Sequence, residues 1–414
     1  MNNFTYKNKD LYCESVQIKT LAKKFGTPLY VTSEESIQGQ YASFKSAFSK
    51  LDPLICYAVK ANTNLSILRL LKKVGSGADV GGTGELYKAL KAGINPRKIV
   101  FSGVGKTRGD IEYALKSNVL TLKVESTSEI ILINSIAKKL GIVAPLMIRI
   151  NPGVSVDTHK HISTGDIDHK FGLEEKILLS FLDKNKNLKN INILGLDIHI
   201  GSQIANPKAY LLAIKNILHT KIMLEIRGYK ISHIDVGGGF PITYDVKNPK
   251  LFLDKFAKVI VPLLINSGSK ILFEPGRYFV GNASALITEV LYTKQNSKKK
   301  NFIIVDAGMT ELMRPALYDA YHDIIPVLNN NKKSIIADIV GPVCESTDTF
   351  AYGRKIRELK SGEYLAILSA GAYGAVMASN YNGRLRPAEV LVLGSKYKVI
   401  RKRDKLEDLI KNEI

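Results

Sequence analysis

The segment Leu54-Ile55-Cys56-Tyr57-Ala58-Val59-Lys60-Ala61-Asn62-Thr63-Asn64 decides how the rest of the chain is read. Its apolar run, Leu54 to Val59, has the pattern of a buried strand. The run ends on a single lysine, and an Asn-Thr-Asn break then leads into a helical pattern, Leu65 to Val74. In an α/β fold the C-terminal ends of parallel strands are where chemistry is sited, and a lysine held there can lose its proton and become a nucleophile. Taken alone, a lysine that snorkels out of the strand end explains the segment at least as well.

The same rhythm continues outward from this segment. Strand patterns recur at 54–59, 77–80, 98–101, 120–124, 145–150, 193–198, 233–236 and 270–273, separated by helical patterns such as Ser126 to Leu140. Eight strand-helix units predict a (β/α)8 barrel, with its active site at the strand ends; an open doubly wound sheet is the alternative. Upstream, a short helical pattern at Ile18 to Phe25 precedes an extended stretch, Thr27 to Thr32. Ser33-Glu34-Glu35-Ser36 then has the capping character that opens a helix to Ser49. Beyond Arg277 the patterns at 285–293, 302–306, 334–340, 364–368, 389–393 and 396–401 are strand-like, with few long helices between them. The expected division is an N-terminal segment over 1–32 packing with the β domain, a barrel over 33–278, and a mostly β, sandwich- or barrel-like domain over 279–414.

The chain of 414 residues is 45% hydrophobic and 23% charged, enough for a large core. Its formal charge of +21 permits contact with nucleic acid or an anionic membrane. The lysines are nevertheless dispersed. The one run, Lys298-Lys299-Lys300, follows an Asn-Ser pair that reads as a hairpin turn, and no aromatic residues interleave with it to stack on bases. Neither a nucleic-acid nor a membrane partner is expected. Cys13, Cys56 and Cys344 are odd in number and far apart, so no disulfide framework or metal set is implied and a reducing, cytoplasmic setting is expected. The N-terminus lacks an apolar signal core, and the longest aliphatic run, near Val259 to Ile265, is too short to span a bilayer.

The strand ends carry the chemistry. Asp79-Val80-Gly81-Gly82-Thr83 follows the second strand and Arg149-Ile150-Asn151-Pro152-Gly153 the fifth. His199-Ile200-Gly201-Ser202-Gln203 follows the sixth, Gly237-Gly238-Gly239 the seventh, and Glu274-Pro275-Gly276-Arg277 the eighth. Three glycines after a strand make a tight turn, or let backbone amides close on a phosphate; the Gly276-Arg277 pair on the neighbouring strand favours the phosphate. Glu274 reads as a structural ion pair or as the partner of a ring nitrogen. His199 reads as a core histidine or as a flat ring packed on a flat cofactor. A nucleophilic lysine, a phosphate cradle and a carboxylate that keeps a pyridine nitrogen protonated are together what pyridoxal 5'-phosphate requires.

With these motifs the chain resembles the fold-type III, alanine-racemase-like pyridoxal-phosphate decarboxylases over nearly its whole length, and within them the diaminopimelate-specific branch. Further matching stretches are His161 to Gly165, Lys170-Phe171-Gly172, Arg314-Pro315-Ala316-Leu317-Tyr318, Gly341-Pro342-Val343-Cys344-Glu345-Ser346, Gly371-Ala372-Tyr373-Gly374 and Ser379-Asn380-Tyr381-Asn382. The resemblance implies that Lys60 anchors the cofactor, His199 stacks on its ring and Glu274 holds the ring nitrogen protonated. It implies that Ser202, Gly239, Pro275, Gly276, Arg277 and Tyr373 line the cofactor site, with no metal. It assigns Arg277, Arg314, Tyr318 and Tyr373 to the substrate, Cys344 to proton donation and Glu345 to the substrate's distal ammonium. Cys344 and Glu345 are expected to enter from the other subunit of a homodimer. The chain departs from the family pattern at Gly81-Gly82-Thr83, where Thr83 offers a hydroxyl in place of a serine, and at Phe240-Pro241-Ile242. Decarboxylases of ornithine, arginine or carboxynorspermidine, and amino-acid racemases, are the related alternatives. A substrate without a distal carboxylate leaves a buried Arg314 unmatched, at a cost on the order of several kcal/mol.

Overall fold

The computed structural model describes residues 3–153, 170–245, 253–329 and 332–414, so the expected motif His161 to Gly165 lies outside the described residues. One compact unit comprises Tyr41–Pro241 and Leu251–Gly276. Its eight strands are β1 (Leu54–Ala58), β2 (Gly77–Val80), β3 (Ile99–Phe101), β4 (Thr121–Val124), β5 (Ala144–Arg149), β6 (Ile191–Asp197), β7 (His233–Asp235) and β8 (Lys270–Phe273). They form a closed, parallel barrel. The open-sheet alternative fails because β8 pairs back onto β1, with Leu272 opposite Leu54 and Phe273 opposite Ile55.

The strands lie within one or two residues of the sequence reading, and the small shift at β1 has a consequence. Its strand stops at Ala58, and Val59–Ala61 turns as a single 3-10 turn that puts Lys60 just past the strand end. Tyr57 Oη donates to the Asn62 carbonyl (3.0 Å), and Asn64 caps the following helix, Leu65–Lys73, by accepting from Ser66 N (2.9 Å). The Asn-Thr-Asn break is therefore a fixed corner.

Phe240, within one of the departures from the family pattern, anchors the loop after β7. Its ring is fully buried among Phe44 (4.8 Å between centroids), Tyr210 (5.5 Å), Phe256 (5.7 Å), Phe48 (5.8 Å) and Phe273 (5.9 Å). Such clusters combine area burial with favourable edge-to-face geometry.

The second unit gathers Met1–Gln40, Ile242–Lys250 and Arg277–Ile414. Its organising strand is Ser284–Gln295, which pairs with Leu29–Ser33, Asn301–Val305 and Tyr364–Ile367. Leu29–Ser33 also pairs with Ala388–Leu393, so the N-terminal segment is a strand of this sheet. Alternate residues feed two cores. Ala285, Ile287, Leu29, Val31 and Ala366 enter one, and Leu286, Val290, Tyr30, Leu365 and Ile367 enter the other, as a period of two on a sheet covered on both faces requires. The lysine run does close a hairpin: Gln295 pairs with Asn301, and Asn296 Oδ1 accepts from Lys298 N and Lys300 N. Thr349–Arg357, Ile324–Pro326 and the small sheet of Phe4–Lys7, Asp10–Cys13 and Val16–Gln17 are strands that the sequence patterns did not disclose. Among the described residues, no helix is long and apolar enough to cross a membrane.

Removing the Phe240 ring leaves a cavity that the surrounding aromatics cannot fill. Phe240→Ala is expected to destabilise the barrel by about 3 to 5 kcal/mol, read as a lowered urea midpoint by circular dichroism; a change below about 1 kcal/mol would remove Phe240 as the anchor of this loop.

Candidate active site

Barrel closure brings an ionic layer together at the C-terminal strand ends. Asp79 comes from β2, Lys123 from β4, Arg149 from β5, Asp197 from β6 and Asp235 from β7, with Glu274 following β8. Lys123 was not anticipated as a site residue. Its Nζ lies 2.8 Å from Asp197 Oδ1 and 2.8 Å from Asp235 Oδ2, and is ion-paired with Glu274 Oε1. All four groups are buried. Burial opposes the charge on Lys123, yet Asp197, Asp235 and Glu274 together hold its ammonium well above the ordinary lysine value. Burial pushes Glu274 well above the ordinary carboxylate range, with repulsion from Asp235 and Asp79 acting in the same direction. Burial raises Asp235 to about 6, against the pull of Lys123.

The glycine turn and His199 lie beside this layer. Gly238 N–H donates to His199 Nδ1 (3.3 Å), so the imidazole is the neutral tautomer protonated at Nε2. Burial, then the positive charges of Lys60, Arg149 and Lys123, hold it well below the ordinary histidine value. Gly237 and Gly239 take left-handed φ values of +73° and +91°. A Cβ on Gly239 would fall 2.5 Å from the Gly201 carbonyl oxygen and 2.8 Å from Ile204 Cδ1, so the backbone here is as bare as packing allows. Tyr210 Oη donates to the Gly238 carbonyl (2.6 Å) and braces the turn from below. Gly276 is also tight, since a Cβ there would meet Ala58 Cβ at 2.9 Å. Ser202 is half-buried at the head of the β6 loop, while Lys60 is exposed. Thr83 does not offer its hydroxyl inward: it is exposed, and the hydroxyl donates to Asp110 Oδ1 in the next helix.

These barrel residues fit pyridoxal 5'-phosphate. A neutral flat ring, a bare backbone turn, a primary amine past a strand end and a buried carboxylate are the donor set that a phosphorylated pyridine aldehyde uses. The trio Asp197, Asp235 and Glu274 has metal-like spacing, but the Lys123 ammonium already occupies the position between the three carboxylates.

The second unit holds a separate cluster of buried cations. Arg277 and Arg314 begin the short helices Arg277–Val280 and Arg314–Tyr318, and both are buried. Arg277 Nη1 donates to Tyr244 Oη (2.5 Å), and its guanidinium lies 4.8 Å from the centroid of the Tyr373 ring. Arg314 lies 4.7 Å from the Tyr244 ring and donates through Nη1 to His322 Nε2 (2.8 Å). His322 in turn donates from Nδ1 to the Leu368 carbonyl (2.8 Å), which fixes the tautomer that leaves Nε2 as acceptor. Burial, reinforced by Arg314, lowers His322 to about 3. Tyr318 follows Arg314 by four residues, on the same helix face. Tyr373 is held at a left-handed φ of +57°. Tyr244 and His322 were missed because each is a lone residue in a segment without a motif.

Cys344 and Glu345 lie in the connection between Ser334–Val340 and Thr349–Arg357, and both are exposed in the single chain. Tyr381 Oη donates to Glu345 Oε1. Asp348 staples this connection, accepting from Met309 N (2.6 Å) and Val343 N (2.7 Å).

The chain is similar to known proteins over nearly its whole length. Residues 34–281 match the family model described as the pyridoxal binding domain of pyridoxal-dependent decarboxylases. The chain is 44% identical over 405 residues to the diaminopimelate decarboxylase of Aquifex aeolicus, covering 98% of this chain and 96% of that one. The Helicobacter pylori diaminopimelate decarboxylase complexed with L-lysine superposes with a TM-score of 0.91 at 42% identity, over 95% of this chain and 98% of that chain. The M. jannaschii diaminopimelate decarboxylase in co-complex with L-lysine gives 0.95 at 36% identity, over 100% and 98%.

The neutral His322 has a measurable signature. Its folded value of about 3 lies below the ordinary value, so the unfolded chain binds the extra proton first as acid is added. The stability it contributes is complete above the ordinary histidine value near 6.5 and falls by about 1.4 kcal/mol per pH unit below it, until the folded value is reached. His322→Asn should therefore show a shallower loss of stability than the wild type between about pH 6 and pH 4; parallel curves would mean that His322 is not held neutral.

Proposed function

The chain belongs to the diaminopimelate decarboxylases, within the pyridoxal-dependent decarboxylases, and from that membership we propose how its residues divide the conversion of meso-2,6-diaminopimelate to L-lysine and carbon dioxide. Pyridoxal 5'-phosphate, when bound, supplies the electron sink that lets a carboxylate leave an amino acid. Lys60 would hold the cofactor through Nζ. His199 would offer its neutral ring as a stacking face, and Glu274 would be the carboxylate that keeps the ring nitrogen protonated. On the barrel, Ser202, Gly239 and Gly276 would bind its phosphate end, where bare amides suit a dianion, and Pro275 would line the cofactor site.

Arg314 is the observation that carries the substrate assignment. Its guanidinium is buried and hydrogen-bonded to a neutral imidazole, and among the described residues it forms no ion pair with a carboxylate. A buried cation of this kind is matched by an anionic ligand. Arg314, with Arg277, Tyr318 and Tyr373, takes the distal carboxylate of diaminopimelate, which ornithine lacks. Glu345 takes the distal ammonium, and Cys344 Sγ delivers the proton that replaces the departing carboxylate.

The exposure of Cys344 and Glu345 favours a homodimer in which each subunit supplies this pair to the other's site, since a proton donor works best shielded from bulk water. The setting is the reducing cytoplasm, where an exposed thiol such as Cys344 stays free.

The purified protein should release carbon dioxide from meso-diaminopimelate and leave ornithine essentially untouched; release from ornithine alone would overturn the substrate reading. Cys344→Ala should abolish turnover while the cofactor's visible band remains. Lys60→Ala should lose that band. Mixing the two inactive variants and allowing subunits to exchange should restore up to about a quarter of wild-type activity, because half of the random dimers then carry one intact shared site. No recovery, with exchange demonstrated, would place each site within one chain.

A further inference from the structure

Lys123 has no part in the assignments above, yet it occupies the centre of the barrel's ionic layer. It stands on β4, is 1% exposed, and holds Asp197 and Asp235 at 2.8 Å each and Glu274 through Oε1. The layer contains other charges. Arg149 Nε is 4.0 Å from Asp197 Oδ2 and its Nη1 is 3.1 Å from Glu125 Oε1, while Asp79 accepts from Ser102 Oγ at 2.6 Å. Cys56 on β1 is pushed up by burial and by Asp235 and Glu274, Lys60 and His199 are also within electrostatic reach, and Glu85 feels both Asp79 and Lys60.

An ammonium with two carboxylates at contact distance is fixed in place by them. Glu274 is therefore held through one oxygen by a charge that β6 and β7 have already oriented. Its other oxygen, Oε2, makes no hydrogen bond among the described residues, and Glu274 retains 7% exposure. Without the ammonium, three buried carboxylates would repel one another and relieve the repulsion by taking up protons; burial, Asp235 and Asp79 already press Glu274 upward, and Lys123 acts against them. A protonated Glu274 cannot act as the counter-charge of a pyridinium nitrogen.

We propose that Lys123 is a positioning residue for the cofactor's ring nitrogen: anchored by Asp197 and Asp235, it presents Glu274 as an oriented carboxylate with one oxygen engaged and the other left for the ring. This rests on the assignment of Glu274 to that nitrogen. Lys123 touches neither substrate nor the reacting atoms and acts through Glu274 alone.

The test is a double-mutant cycle on the apoprotein titrated with pyridoxal 5'-phosphate. It follows the dissociation constant and the pH dependence of the visible band, with apoprotein melting recorded alongside. Lys123→Met should weaken retention on the order of tenfold, the factor that one unit of proton affinity carries, and displace the pH at which the band changes. In the Glu274→Gln background the same substitution should change both readouts less than about twofold. Additive effects, or loss of thermal stability with the band and its pH dependence unmoved, would reduce Lys123 to a structural ion and overturn the proposal. If Glu274→Gln alone leaves band and affinity untouched, the underlying assignment of Glu274 falls and this inference with it. Should Lys123→Met not fold, the same cycle is run in the charge-matched Asp235→Asn background, with the same criteria.

Discussion

Burying an ammonium among carboxylates is the constraint on which the barrel's chemistry depends. Each ion taken out of water costs several kcal/mol, recovered only where partners meet it in good geometry. Lys123 finds its partners on three other strand ends, and only closure of the sheet brings β4, β6, β7 and β8 to one point. The interaction is thus a condition on topology as much as a contribution to stability. An open sheet, or one strand slipped by a residue, would leave the ammonium and its carboxylates buried apart. The same geometry removes the trio Asp197, Asp235 and Glu274 from the list of metal sites, because a fixed positive charge already fills the place a divalent ion would take.

The β unit treats buried charge in the opposite way. Arg314 is also out of water, but its hydrogen-bond partner His322 is neutral, and the backbone carbonyl of Leu368 locks the imidazole as an acceptor. In the barrel, negative charges answer the cation from within the fold. Around Arg314 the described residues supply a hydrogen bond and an aromatic face and no carboxylate ion pair, which orients the guanidinium without neutralising it. That contrast separates a cation answered by charge from one answered by dipoles and aromatic faces.

Much of the architecture was legible because it repeats. Eight alternations of a short apolar run with a helical pattern identify a barrel, and polar or glycine-rich residues at the run ends mark its mouth. Lys60, His199, Glu274 and Gly239 stand in such places and so drew attention. Lys123 stands inside a run, Thr121-Leu122-Lys123-Val124, where it looks like an interruption. The missed signal was available: a lysine in a strand buried on both faces must find a counter-ion, and the acids at the ends of β6, β7 and β8 were the candidates. His322 and Tyr244 carried no such signal. Their meaning depends on a cation more than thirty residues away for Tyr244 and on a main-chain carbonyl for His322, and no pattern in the chain links them.

The Cys344 connection brings these threads to the question of precision. An exposed loop is ordinarily mobile and a poor platform for proton transfer, which tolerates errors of only about half an ångström in the placement of the donor. Here Asp348 draws the loop against Met309 and Val343, and the Gly341 amide donates to the Asp348 carbonyl at 2.9 Å. The backbone is pinned at its base while Cys344, Glu345, Ser346 and Thr347 point outward. The base is rigid while the side chains it carries, Cys344 among them, are exposed in the single chain. A loop pinned in this way has met its ordering cost before anything binds to it, so whatever contacts these side chains finds them already placed.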